Sequence, residues 1–183
     1  MTDQDDSWST QFPRLFCESY VGYADCRLSF TTAPAPDHLV SRLHLVALTA
    51  QGHVVVCRSE HGRFLPGGTR EPEETVSALA RRELLEEAGA HLVGDIRHIA
   101  SHVAVSRRDQ PFRPHLSHPR AYWAYALAHV DVTHPPSNPP DGEQIVEVLE
   151  LPPLEAAAYL DEHDPLHADV VRLASAMGFC VSG

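Results

Sequence analysis

The segment 67–90, GGTREPEETVSALARRELLEEAGA, places two glycines before a run in which acidic residues recur along one side of a helix. The helix is predicted to begin between Pro72 and Thr75 and to end at Gly89, because glycine readily takes the left-handed conformation that terminates helices. At about 100° per residue, Glu83, Glu86 and Glu87 fall within an arc of roughly 100°. Three carboxylates are therefore expected to crowd together.

An apolar stripe points in the same direction as these carboxylates. Val76, Leu79 and Ala80 lie one to two turns earlier on the same side of the helix, so the glutamates extend a face that should pack against the protein. Like charges on a partly buried face lower stability unless a positive charge lies among them. Carboxylate oxygens suit Mg²⁺ or Mn²⁺, so the segment predicts a divalent cation site.

Composition restricts the kind of protein that carries this site. The chain has 183 residues, of which 43% are hydrophobic and 21% charged, as expected for one globular domain with a core. A net charge of -11 argues against binding to extended nucleic acid, which normally requires a basic surface. The acidic, polar N-terminus and the lack of an apolar run near ~20 residues predict a cytoplasmic protein with no membrane contact.

The pattern along the chain predicts interleaved strands and helices. Segments 41–50 and 53–59 are rich in β-branched residues and flank Gln51-Gly52, which indicates a hairpin. Further strands are expected within 16–30, 91–107, 121–130 and 144–152, whereas residues 1–10 are expected to fray. Pro153 and Pro165 are placed to start two C-terminal helices, with Gly178 as a stop. This order favours an α/β/α sandwich around a mixed β-sheet, in the α+β class.

The opening segment resembles the signature of the Nudix hydrolase family, a glycine and a glutamate followed by Arg-Glu-apolar-x-Glu-Glu-x-Gly and an apolar residue. The matching residues are Gly68, Glu74, Arg82, Glu83, Leu84, Glu86, Glu87 and Gly89, with the small Ala90 at the last position. The resemblance implies a Nudix-type fold, with a Nudix hydrolase domain over residues 41–183. Residues 1–40 would then be an N-terminal extension packed on the same domain.

The resemblance also implies the metal ligands. Glu83, Glu86 and Glu87 look like the residues that hold Mg²⁺ or Mn²⁺, and Gly68 is similar to the family glycine whose backbone approaches the metal. Members of the family hydrolyse the diphosphate linkage of a nucleoside diphosphate derivative by attack of water on phosphorus. A small-molecule nucleotide is therefore the expected substrate.

Four further positions take roles from the same resemblance. Arg82 and Glu74 look like supports that orient the glutamates, the alternative being an ordinary ion pair on a helix. Glu83 is the first choice for the general base. Some family members instead use a glutamate from a late loop, where this chain has Glu143, and for that residue the alternative is a solvated loop acid.

The sequence gives weaker signals for the residues that would contact the rest of the substrate. Arg58 and Arg63 flank the turn before the glycines, and Arg113 belongs to the basic loop 107–120; each is a candidate phosphate contact or a surface charge. Aromatic residues in and beside this loop that could stack on a base are Phe112, Tyr122 and Trp123. The thirteen histidines show no helical metal-binding spacing and are expected to be mostly surface or hydrogen-bonded core residues.

Several alternatives stay open. A nucleoside triphosphate or other small nucleotide derivative is the leading substrate, and ADP-ribose or a nucleotide sugar is an alternative, although the proline expected about fifteen residues past the signature of ADP-ribose hydrolases is absent. A non-catalytic Nudix module that senses a nucleotide or binds a partner is a rival interpretation. The retained glutamates of the signature argue against it. An RNA-end hydrolase is disfavoured by the net charge. A homodimer is compatible with the sequence.

Overall fold

In a computed structural model of the chain, residues 3–140 and 142–180 are described, with side chains from residue 7 onward. The helices are α1 (Asp3–Gln11), α2 (Pro13–Phe16), α3 (Val76–Glu83), α4 (Pro153–Asp161) and α5 (Pro165–Ala176). The strands are β1 (Ser19–Val21), β2 (Cys26–Thr31), β3 (Val40–Leu48), β4 (Val54–Ser59), β5 (Gly62–Phe64), β6 (Gly67–Thr69), β7 (Ala90–Ser106), β8 (Arg120–Val132) and β9 (Ile145–Leu151).

These strands form one mixed sheet. The order is β1-β2-β7-β8-β3-β4-β5, with β6 beside β3 and β9 beside β4. The pair β3–β8 is parallel and the other pairs are antiparallel. The single long strand β7 covers the region where one or two strands were expected, and its pairing with β8 is interrupted by two irregularities.

The predicted hairpin is present at its turn but opens at once. β3 and β4 pair through Leu48 and Val54 beside the turn. Beyond that point β3 pairs with β8 and β6, while β4 pairs with β5 and β9. The opening lets the segment between β5 and β6 approach β3, where Leu45 donates its N–H to Pro66 O at 2.8 Å. The two glycines that follow Pro66 are thereby held against β3.

Each face of the sheet carries its own core. On one face the buried cluster includes Leu15, Val46, Leu160 and Leu173, so α2, α4 and α5 pack there. On the other face the cluster includes residues of the signature helix and of β3, among them Leu43, Leu45, Leu79 and Leu84. The predicted α/β/α sandwich in the α+β class is confirmed.

The prediction that residues 1–10 fray is wrong for the described part, since α1 runs from Asp3 to Gln11. Trp8 packs against the first core, and the N–H of Phe12 donates to Trp8 O at 2.8 Å. Arg14 then donates to both carboxylate oxygens of Asp169 on α5, at 2.8 Å each. The contacts of Trp8 stabilise α1, whose own sequence is mostly polar, and the contact of Arg14 holds α2 against α5.

The predicted C-terminal helices are confirmed. Pro153 and Pro165 are the first residues of α4 and α5, and Gly178 has a φ of 77° just past the end of α5. No helix in the described ranges has the length and apolar character needed to cross a bilayer. The start of α5 lies beside β3, which brings a helix terminus next to the signature segment.

Candidate active site

The signature helix has the predicted limits but not a uniform geometry. Thr75 caps its start by accepting a hydrogen bond from the N–H of Ala78 at 3.0 Å, and Gly89 ends it with a φ of 60°. Residues Leu84–Ala88 form a wider π-helical turn. A Cβ on Gly89 would collide with the carbonyl of His134, so this position also requires glycine for close packing. Two of the three glutamates therefore lie on the π-helical turn.

Arg82 connects the acidic residues of the segment. Its guanidinium donates to both oxygens of Glu74, at 2.9 and 3.1 Å. From Nη1 it also donates to Glu83 Oε1 at 2.8 Å and to Glu86 Oε2 at 3.2 Å. Its remaining contact is to the carbonyl of Thr69 at 3.2 Å. Arg82 is thus held by Glu74 and β6 in a position where it fixes two of the glutamate side chains.

Glu83 is buried beneath the bend at Pro66 and the first two residues of β6, Gly67 and Gly68, which together are called the glycine turn; 5% of Glu83 is exposed. Burial raises the pKa of its carboxyl, and the adjacent Arg82 guanidinium opposes that rise. A Cβ on Gly68 would collide with Glu83 Oε1. The absence of a side chain at Gly68 is therefore what allows the backbone of β6 to lie directly against this carboxylate.

Glu87 reaches the same turn from the other side. Its Oε2 accepts a hydrogen bond from the backbone N–H of Gly67 at 2.8 Å. Burial nevertheless raises the pKa of Glu87 to about 8, and the charges of Glu83 and Glu143 act in the same direction. The site therefore lacks enough positive charge to keep all of its carboxylates ionised at neutral pH.

Glu143 is also brought to this place. It accepts a hydrogen bond from the hydroxyl of Ser59, a buried residue at the end of β4, and it lines the same cleft as Glu83 and Glu87. A late-loop carboxylate is thus present beside the signature glutamates. The neighbouring Asp141 lies outside the described residues.

The three predicted substrate-contacting arginines are placed differently. Arg63 lines the cleft but is bound to Glu162 at 2.5 Å, and its guanidinium lies 4.1 Å from the ring centre of Tyr159. Arg113 lines the cleft at its outer rim. Arg58 lies opposite Arg63 in the β4–β5 pair, donates to Glu147 at 2.9 Å and does not line the cleft.

The cleft has a volume of about 950 Å³, large enough for a nucleotide. Glu83, Glu86 and Glu87 line the cleft together with Gly67 and Gly68, and this part of the lining is called the acidic wall. Of the aromatic residues expected to stack on a base, Trp123 lines the cleft, Tyr122 packs against the core that contains the signature helix, and Phe112 packs against Tyr23 without lining the cleft itself. Arg42 lies 5.0 Å from the ring centre of Trp123.

Sequence reasoning missed the floor of this cleft, which consists of His44, His102, Tyr125 and His167. His44 lies on β3 and Tyr125 on β8, where they are Cα partners in the parallel pair. The polar residues Arg42 and His44, two positions apart in an otherwise apolar strand, were the available signal. Such a spacing indicates one face of a strand that is not fully covered by core.

The oxygen atoms around the glycine turn are suited to a divalent cation. Among the described residues, no three carboxylate, imidazole or thiol groups already converge as a metal site, and Arg82 contacts two of the glutamates. The donor set nevertheless fits, because it consists of carboxylate and backbone oxygens around a glycine that leaves space.

Comparison with solved structures shows a common fold. A mutant of the Bacillus subtilis pyrophosphohydrolase BsRppH superimposes with a TM-score of 0.61 at 14% identity, covering 90% of this chain and 99% of that one. A NUDIX hydrolase from Nitrosomonas europaea gives 0.55 at 17% identity, covering 78% and 90%. The MutT protein from Methanosarcina mazei Go1 gives 0.51 at 16% identity, covering 76% and 94%. At these identities the likeness concerns the fold.

Family membership rests on the sequence match together with this fold. No curated protein matches the chain significantly. The family model described as NUDIX domain matches residues 38–174, about three quarters of the chain. The chain therefore belongs to the NUDIX domain family.

Proposed function

We propose that the protein is a divalent-metal-dependent Nudix pyrophosphohydrolase that hydrolyses the diphosphate linkage of a nucleoside diphosphate derivative. The observation that carries this proposal is that the buried Glu83 and the partly buried Glu87 lie against Gly67 and Gly68, with the pKa of each carboxyl raised. A structural domain would gain nothing from such a pair, because burying like charges lowers stability. A nucleoside triphosphate or another small nucleotide derivative is the substrate that we favour.

The charge of the site supports dependence on Mg²⁺ or Mn²⁺. Glu83, Glu86 and Glu87, with the backbone of Gly68, would hold the cation. When bound, the cation supplies a positive charge that activates water and offsets the charge of the diphosphate. Cations also allow a chain with a net charge of -11 to accept a polyanion.

The chain's own residues orient and exchange protons around the reacting diphosphate. Arg82, fixed by Glu74, keeps Glu83 and Glu86 directed toward the glycine turn. Glu83, our first choice for the general base, would accept the proton of the attacking water at a carboxylate oxygen. Glu143 is the alternative base, and the hydroxyl of Ser59 orients its carboxylate.

Substrate phosphates beyond the scissile linkage need cationic partners on the cleft walls. Arg113 and Arg63 line the cleft and are the candidates. Arg63 is also engaged by Glu162, so its contact with phosphate would require exchange of that partner. Arg58 is bound to Glu147 away from the cleft lining, which favours the reading of this residue as a surface charge.

Two other functions make different predictions. A non-catalytic module would bind nucleotide in the cleft without turnover, and the retention of Glu83, Glu86 and Glu87 disfavours it. An ADP-ribose or nucleotide-sugar pyrophosphatase would use the same acidic wall on a longer substrate, for which the cleft volume of about 950 Å³ leaves room. The choice between the substrates is therefore experimental.

The test is a hydrolysis assay with Mg²⁺, repeated with Mn²⁺. Nucleoside triphosphates, nucleotide sugars, dinucleoside polyphosphates and ADP-ribose are compared by release of phosphate, pyrophosphate or nucleoside monophosphate. We expect turnover of at least one class, and we expect Glu83→Gln and Glu87→Gln each to lower kcat by orders of magnitude without lowering Tm. Binding without turnover across the panel would support the non-catalytic module instead.

A further inference from the structure

The cleft floor carries polar groups that the proposed hydrolysis does not use. The rings of His44 and His167 have centres 4.5 Å apart, and the ring of Tyr125 lies 6.1 Å from that of His44 at an interplanar angle of 29°. The hydroxyl of Tyr125 is 3.3 Å from His102 Nδ1. Three histidines and a tyrosine thus form a continuous polar surface above the apolar core.

The backbone of Leu65 assigns the tautomers of two of these histidines. Its carbonyl is 3.3 Å from His44 Nδ1 and can only accept, so that nitrogen donates. Its N–H donates to His167 Nδ1 at 3.2 Å, so that nitrogen accepts in this contact, and Asp164 Oδ2 lies 3.2 Å from the same nitrogen. His44 therefore presents a bare Nε2 and His167 presents an Nε2–H, because each neutral ring carries one proton.

Burial disfavours the charged form of both rings. Burial lowers the pKa of His167 to about 3 and that of His102 to about 4, and burial with the neighbouring His167 lowers the pKa of His44. The charged groups that face them are Arg42 and Asp164. Within the described part of the chain, neither Nε2 has a hydrogen-bond partner, although both rings line the cleft.

This neutral pair lies next to the acidic wall. A Cβ on Gly67 would come within 2.9 Å of His44 Nδ1, and the N–H of the same glycine is bound to Glu87. His44 and Glu87 thus flank one backbone residue. His44 and His167 line the same cleft as the signature glutamates, so they are within reach of the part of a substrate that adjoins its diphosphate.

We propose that His44 and His167 bind a sugar hydroxyl of the substrate, next to the scissile diphosphate. This inference rests on the proposed function. A hydroxyl can donate to His44 Nε2 and accept from His167 Nε2–H, which uses both free nitrogens. An internal phosphate of a polyphosphate chain, which carries no O–H at neutral pH, cannot supply the donor that His44 Nε2 requires. A nucleobase edge is the competing ligand, and the assay below distinguishes it from the sugar.

The test compares ribonucleotides with their 2′-deoxy and 2′,3′-dideoxy analogues on matched variants. His44→Asn keeps a polar group where Nδ1 meets Leu65 but removes the cleft-facing nitrogen. His44→Gln places a polar group where Nε2 lies. His98→Asn is the control, because His98 is on β7, contacts Ser101 at 3.1 Å and does not line the cleft.

We expect the wild-type protein and His98→Asn to prefer the hydroxylated substrate by about threefold to tenfold in kcat/KM, the range of one neutral hydrogen bond. His44→Asn should lose this preference, and His44→Gln should recover part of it. A preference that survives in His44→Asn, or one that follows the base and not the sugar, would overturn the inference.

Dissociation constants on the Glu83→Gln background keep this inference separate from the proposed function. Hydrolysis without sugar discrimination would contradict the histidine site alone. Discrimination in binding without any hydrolysis in the wild-type protein would contradict the pyrophosphohydrolase alone. A protein that neither hydrolyses nucleotides nor discriminates between them in binding would overturn both.

Discussion

The backbone N–H of Gly67 donates to Glu87 Oε2 at 2.8 Å, and yet burial raises the pKa of this carboxyl to about 8. One hydrogen bond from the glycine turn does not offset the loss of hydration and the charges of Glu83 and Glu143. The hydrogen bond from Gly67 therefore positions Glu87 but does not return the pKa of its carboxyl to the usual value. Consequences for stability and activity follow from this relationship and from the contacts around it.

Stability should depend on pH through Glu87. Its pKa is raised from 4.5 to about 8, so the folded state holds the proton more tightly than the unfolded state. The stabilisation of the folded state is complete below the pKa that Glu87 has in the unfolded chain, and it is lost as the pH rises through about 8. In a chelator, the free energy of unfolding should fall between pH 5 and pH 8.5, and less so for Glu87→Gln. Denaturant titrations of the wild-type protein and of Glu87→Gln at several pH values measure the free energy of unfolding of each. An equal loss of stability in the two proteins over this pH range would contradict the prediction.

Arg82→Ala should impair both folding and turnover. The substitution leaves the partly buried Glu74 without its partner and releases Glu83 and Glu86. Loss of a group that orients metal ligands lowers activity by about 10- to 100-fold. Arg81→Ala on the exposed side of the helix is the matched control and should stay near wild type. Equal kinetic effects of the two substitutions would show that Arg82 has no orienting role.

Gly68→Ala should lower activity more than stability. The added methyl group would collide with Glu83 Oε1, and the carboxylate would have to move away from the turn. A displacement of about 1 Å at a reacting group can reduce kcat by about 100-fold. Gly22→Ala is the control, because its Cβ would meet nothing nearer than 4.0 Å. Unchanged kcat in Gly68→Ala would contradict the assignment of this carboxylate.

Thr75→Ala should act on stability alone. Its hydroxyl caps the signature helix through the N–H of Ala78 at 3.0 Å, remote from the glutamates. Removal of such a cap costs about 1 kcal/mol. Ser77→Ala, on the exposed surface of the same helix, should change little. Thermal unfolding and kcat measured side by side would separate the two variants, and a large fall in kcat with unchanged Tm would contradict the capping role.

The signature helix could be predicted because its determinants are local. A capping residue, a period of about 3.6 and a terminal glycine set its limits at Thr75 and Gly89. The π-helical turn at Leu84–Ala88 could not be predicted, since the same residues fit an ordinary α-helix. Its position beside the core strands is a property of tertiary packing.

The cleft floor could not be predicted because it depends on contacts that are distant in sequence. His44 meets His167 only when α5 docks against β3, and it meets Tyr125 only through the register of the parallel β3–β8 pair. Arg58 illustrates the opposite case. It is close to the signature in sequence, but its guanidinium is bound by Glu147 outside the cleft lining.

The central claim is that the acidic wall exists to hold a divalent cation beside a diphosphate. Calorimetric titration with Mg²⁺ and Mn²⁺, in the presence of a non-hydrolysable nucleotide, tests it most directly. The account predicts uptake of at least one cation by the wild-type protein and loss of that uptake in Glu83→Gln and Glu87→Gln. No uptake by the wild-type protein, or equal uptake by all three proteins, would contradict it.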